Sequence, residues 1–137
     1  MKKFLLLIAV AAVCLFTASC SKTPEDMMVG KFKITEITSD QNMSDDDRAV
    51  WDEAMEELKA NSSYEHKKDH KLICVDNNLE RRGTWELLGG DLQLQYTFEG
   101  KAVVKSNIKE ITDSYFITSN RDETGTTTTI TYTKTKE

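Results

Sequence analysis

From Asp91 to Phe98 polar and apolar residues alternate without a break, which puts Leu92, Leu94, Tyr96 and Phe98 on one face of an extended strand. Gly89-Gly90 before it and Gly100 after it supply positions where the chain reverses freely. A period of two cannot serve a helix, so this segment commits the chain to a sheet with one buried face. The same grammar recurs. Gly30 to Thr38 alternates and is rich in β-branched residues. Tyr64–Lys68, Lys71–Val75, Arg82–Leu87, Ala102–Ile111, Tyr115–Ser119 and Thr126–Thr133 read as further strands. Asp69, Asp76-Asn77-Asn78, Asp113-Ser114 and Asp122–Gly125 punctuate them. About eight short strands with tight sequential links predict a mainly β domain, a single antiparallel up-and-down barrel, since eight strands suffice for closure. Closure also removes the flat edge that Thr126–Thr133 would otherwise offer to other chains.

One segment departs from this pattern. Val50, Trp51, Ala54, Met55 and Leu58 recur at three- and four-residue steps and predict an amphipathic helix between the first two strands. Ser44 is placed to cap it, with Asp47 returning the bond in a capping box. Asp45, Asp46 and Asp47 suit the positive end of its dipole. So short a helix is marginal alone, so its stripe must pack on something. Trp51 and Met55 either pack on the sheet or form a lid over the barrel mouth, with Trp51 facing the lumen.

The chain opens with Lys2-Lys3, an apolar run from Phe4 to Phe16, and the small residues Thr17-Ala18-Ser19 ending at Cys20. That is the layout of a secretory signal. The apolar run is shorter than the roughly 20 residues that a spanning helix requires. Thr17-Ala18-Ser19-Cys20 resembles the lipobox of bacterial lipoproteins. The resemblance implies a signal peptide over 1–19, cleavage before Cys20 and lipid on the Cys20 thiol. Each buried methylene adds about 0.8 kcal/mol to such an anchor, so several acyl chains such as palmitate hold firmly. In those families an Asp after the cysteine favours inner-membrane retention; Ser21 here implies the outer membrane. Lys22 to Asp26, with Pro24 and no apolar pattern, reads as a tether, giving a lipidated segment over 20–27 and a folded domain over 28–137.

Charge and cysteine count narrow the function. Without Lys2 and Lys3 the formal charge falls from −5 to −7. An acidic domain lacks the Lys and Arg clusters that nucleic acid requires, and it is expected to repel anionic lipid, leaving attachment to the acyl chains. Cys14 leaves with the signal and Cys20 is acylated, so Cys74 is alone and no internal disulfide can form. Within Leu72-Ile73-Cys74-Val75 it reads as a small buried hydrophobe. A folded part of about 110 residues makes one domain with one core.

Several phrases, Gly30-Lys31-Phe32-Lys33-Ile34, Gly83-Thr84-Trp85-Glu86-Leu87 followed by Leu92-Gln93-Leu94, Ile108–Thr112 and Tyr132-Thr133-Lys134, resemble in their order and spacing the lipocalin-like lipoproteins of Gram-negative bacteria. The resemblance implies a small β-barrel. Lipocalins carry Gly-x-Trp in the first strand, with the tryptophan plugging the barrel base; here Phe32 stands in that place.

No Gly-rich phosphate loop, Gly-x-Ser-x-Gly elbow or zinc signature occurs, and no nucleophile–base pair can be read. No enzyme activity and no cofactor are expected. His66 and His70 are the only histidines; nothing completes a metal site around them, and they read as a solvated hairpin. The leading expectation is a non-enzymatic binding module for a small apolar or amphipathic ligand, with Trp85, Leu87, Leu92, Leu94, Tyr96 and Phe98 lining the lumen and Trp51 and Met55 covering it. The same lining residues could instead fill the barrel solid. The alternative function is a protein-interaction or inhibitor domain that presents the acidic helix and Asn120–Gly125 to a basic partner.

Overall fold

A computed structural model describes residues 22–90, 92–100 and 102–135. The signal peptide and the Cys20 acylation site expected above lie outside the described residues. Eight strands close into one antiparallel barrel in sequence order. They are β1 (Gly30–Ser39), β2 (Ser63–His66), β3 (Lys71–Asp76), β4 (Leu79–Leu88), β5 (Gln93–Phe98), β6 (Val103–Ile111), β7 (Tyr115–Arg121) and β8 (Thr127–Lys134). The seam runs between β1 and β8, from Phe32 opposite Lys134 to Ser39 opposite Thr128. β1 alternates as its sequence requires until the register shifts between Ile34 and Glu36. That bulge turns Ile37 rather than Glu36 toward the core, where Ile37 packs half-buried. The β3–β4 hairpin turns on Asn77 (φ 49°) and Asn78 (φ 67°), the left-handed pair that a two-residue hairpin of matching twist requires.

Two helices sit at opposite ends. The expected one is α2 (Asp45–Asn61). Its N-cap forms as read, Asp47 N–H donating to Ser44 Oγ at 3.2 Å, although no return bond from the Asp47 carboxylate is present. The other helix, α1 (Pro24–Met28), corrects the expectation of a loose tether. Thr23 and Asp26 cap it reciprocally and Pro24 occupies its first turn. Lys22 pairs with Asp113 in the β6–β7 turn at 2.7 Å, and Met28 is 0 % exposed. The motif Thr-Pro-Glu-Asp is a helix start, and a single buried methionine was too small an apolar signal to mark the turn that follows. The folded unit therefore includes the segment from Lys22 to Met27 as well as residues 28 onward.

We call the α1 end the base and the α2 end the rim. The core concentrates towards the base, where Phe32, Leu72, Trp85 and Phe116 join Met28 at 1 % exposure or less.

Candidate functional site

His66 organises the sealed base. It ends β2 and is 1 % exposed, which overturns the solvated-hairpin reading. Strand alternation explains the placement: Tyr64 and His66 share the inner face, and Lys67 and Lys68 go to the turn. The ring is packed among Phe32, Trp85, Tyr96 and Phe116 with centroids 5.2–5.7 Å away. Its Nδ1 lies 2.8 Å from the Met28 carbonyl, which can only accept, so Nδ1 carries the proton. Nε2 then accepts from the Tyr96 hydroxyl at 2.5 Å. A neutral imidazole satisfies both contacts, and burial depresses its pKa to about 4. Trp85 is 1 % exposed, stacks on His70 at 4.8 Å and donates from its indole nitrogen to the Lys67 carbonyl at 2.9 Å. The two histidines thus flank one indole, and His70 pairs with Glu25 of α1. Among the described residues no group of three metal-ligating side chains converges.

A second aromatic layer lies above the first. Phe116 stacks on Tyr132 at 4.5 Å, Tyr64 meets Tyr132 edge-on at 5.2 Å, and Tyr64 stacks on Tyr96 at 6.2 Å. Burial holds the phenols of Tyr64 and Tyr96 well above their usual pKa and pushes Tyr132 up to about 12. These rings fill the lower barrel. Of the expected lining, Trp85, Leu94, Tyr96 and Phe98 are buried and Leu87 packs against them half-buried, all as core. Leu92 does not join them. It precedes β5 in the turn after Gly89-Gly90 and is 65 % exposed, because the strand pairing starts only at Gln93.

The rim is built differently. Residues opposite one another in an antiparallel pair share a face. Val104 lies opposite Tyr96 and so faces inward, yet it is 45 % exposed. Arg81 lies opposite Cys74, with its guanidinium 4.2 Å above the Phe98 ring and 4.0 Å from the Asp76 carboxylate. Cys74 is 1 % exposed; burial raises its thiol pKa and Arg81 offsets part of that rise. Thr118, on the same inner face opposite Ile130, has a buried hydroxyl with no hydrogen-bond partner. The rim therefore combines a half-open apolar residue, Val104, with one aromatic-backed cation, and the Thr118 hydroxyl lies buried beneath them. None of Arg81, Val104 and Thr118 was singled out from sequence. Their clue is the register, which depends on partner strands distant in the chain.

α2 leaves the rim end of β1, touches β1 and β3, and returns at β2. Its last residue accepts a hydrogen bond from Asn78 N–H at the β3–β4 tip. No residue of α2 is fully buried, and Val50 of the expected stripe is 69 % exposed. Leu58 packs on the core, while Trp51 and Met55 are half-buried. Excising Asp45 to Lys59 and bridging with Gly and Ser should leave a folded barrel, at a cost of about 2 kcal/mol for the lost Leu58 packing. Circular dichroism checks this: disappearance of the β signal would make α2 part of the core.

No protein-family model matches the chain, and no curated protein sequence matches it. Among solved structures it is similar to a DUF4847 family protein from Bacteroides vulgatus ATCC 8482, with a TM-score of 0.56 and 13 % identity over 82 % of this chain and 97 % of that one. At that identity the likeness shows a shared fold: both chains are small β-barrels of nearly the same extent.

Proposed function

We propose that this chain is a lipid-anchored, non-enzymatic binding module of the outer membrane, and that it takes a small amphipathic ligand at the rim of its barrel. The observation that carries this reading is the asymmetry of the two ends. The base is sealed by Met28 and a closed aromatic layer, whereas the rim leaves inward-facing Val104 half exposed and carries the Arg81 guanidinium over the Phe98 ring. An apolar surface with one converging charge selects a ligand with an apolar body and an anionic head. Arg81 is ion-paired with Asp76 at 4.0 Å without a close hydrogen bond and its side chain is 44 % exposed, so the guanidinium keeps donors that a ligand can reach. The filled lower barrel limits the ligand to a shallow seat. Anchoring at Cys20 is supported by the lipobox resemblance and by the position of α1, which delivers the start of the described chain to the base.

Two experiments test the reading. A dansyl-labelled medium-chain carboxylate should bind the lipid-free chain, and Arg81→Gln should weaken it about tenfold, the worth of one charge-assisted hydrogen bond. Equal affinity in wild type and Arg81→Gln would remove Arg81 from the site. For the anchor, Cys20→Ala should leave the membrane fraction after a high-salt wash. Retention of that variant in the membrane would contradict the lipid tether.

A further inference from the structure

We propose that the base of the barrel, at a recess framed by Lys31, Lys67, Lys68 and Lys134, rests on the phosphate head groups of an anionic bilayer. The recess has a volume of about 360 Å³ between β1, β2, the β2–β3 turn and the end of β8. Strand pairing brings its lysines together from three distant stretches of sequence. Glu65 is the only carboxylate lining it. Several other acidic groups near the base are engaged, Asp113 with Lys22, Asp69 with Lys71, Glu25 with His70 and Asp26 in the cap of α1, while Glu86 and Glu110 lie on the outer wall and do not line the recess. The four lysines of the recess make no ion pair among the described residues. Lys31, Lys67 and Lys68 are exposed, and burial beside the recess lowers the Lys134 pKa.

The negative formal charge of the chain is the objection, and geometry answers it. The acidic side chains Asp45, Asp46, Asp47, Asp52, Glu53, Glu56 and Glu57 belong to α2 at the rim. β1 has 10 residues. At about 3.3 Å per residue and the usual tilt of barrel strands, it separates rim from base by roughly 25 Å. The screening length at 0.1 M salt is about 10 Å. A bilayer at the base therefore meets the lysines and not α2, so that segregation of charge lets this end attract anionic lipid although the net charge of the chain is negative.

The occupant is a bilayer because of where the described chain starts. Lys22 is pinned to the base through Asp113, and Cys20 is two residues away, a reach of about 7 Å. This step rests on the Cys20 anchor proposed above. With that anchor the base faces the membrane at contact distance and the rim opens away from it.

The test uses the unlipidated chain from Lys22 onward, whose barrel and base helix are complete within Pro24–Lys134. It can therefore fail without touching the Cys20 reading. Sedimentation with vesicles of about one-third phosphatidylglycerol in phosphatidylcholine should carry the domain down, and pure phosphatidylcholine vesicles should not. Lys67→Gln combined with Lys68→Gln should weaken the association about 25-fold, at about fivefold per lysine. Both side chains are exposed and the turn is held by the Lys67 backbone and the Asp69 carboxylate rather than by either ammonium, so the variant keeps its fold and its binding of the dansyl probe. Equal sedimentation with both vesicle types, or no effect of the double substitution, overturns the proposal. So does release from the vesicles by millimolar inorganic phosphate that also raises the thermal midpoint, since the recess would then be a site for a free anion.

Discussion

Gly83→Ala is expected to lower the unfolding free energy by about 3 kcal/mol, the upper end of what overpacking costs. Gly83 lies opposite both Leu72 of β3 and Phe98 of β5, where three strands run side by side. A Cβ at this position would stand 2.1 Å from the Thr97 carbonyl oxygen and 2.9 Å from the Phe98 Cα. Both are backbone atoms held by the ladder, so no side chain can swing away and the strands must part. Gly89 is the comparison. It has φ 64° and nothing within 4 Å of an added Cβ, so Gly89→Ala should cost only the conformational penalty of about 1 kcal/mol. Urea unfolding of both variants measures the difference. A Gly83→Ala protein within 1 kcal/mol of wild type, by the same extrapolation, would mean the β4–β5 pairing is looser than described.

Acidification is expected to remove a similar amount through a single residue. His66 has a folded pKa of about 4 against 6.5 for the free group. Between those values the unfolded chain binds the proton and the folded chain does not. The stabilisation is thus complete above pH 6.5 and is lost as pH falls towards 4, amounting to about 3 kcal/mol. The exposed carboxylates Asp113 and Asp122, with pKa values held below 3.8 by their hydrogen bonds, act only at lower pH. His66→Gln can still donate to the Met28 carbonyl and accept from Tyr96, but it does not titrate. Stability measured from pH 7 to pH 4.5 should fall steeply for wild type and stay nearly flat for His66→Gln. Parallel slopes would show that His66 is solvated in the folded state.

The strands were legible because alternation is a local property. Leu94, Tyr96 and Phe98 are buried as their period of two demands, and the turns at Asp76–Asn78, Gly89-Gly90 and Asp122–Gly125 fall where glycine, asparagine and aspartate permit reversal. Leu92 shows where the local rule ends. It continues the alternation in sequence, but the ladder stops one residue short of it, and no local signal marks that limit. His66 and α1 were hidden for a different reason. Each is stabilised by a partner far along the chain: Tyr96 is 30 residues from His66, and Asp113 is 91 residues from Lys22. The rim was the least legible part. Val104 and Arg81 become a site only through their register opposite Tyr96 and Cys74, and the lysines of the base recess converge only when β8 closes on β1.

The two tryptophans of the chain allow the central claim to be tested by distance. Trp51 belongs to α2 at the rim and Trp85 is buried at the base beside His66. In a Trp85→Phe variant the remaining Trp51 should transfer excitation strongly to the bound dansyl carboxylate. The Trp85→Phe background is required because Trp85 lies only two strands from Val104, through Tyr96, and would itself transfer to a ligand at the rim. Strong transfer from Trp51 places the ligand at the open rim of a barrel sealed at its base. Absence of transfer from Trp51 in the Trp85→Phe variant, with the probe bound, would contradict the account, because the ligand would then lie away from the rim that α2 borders.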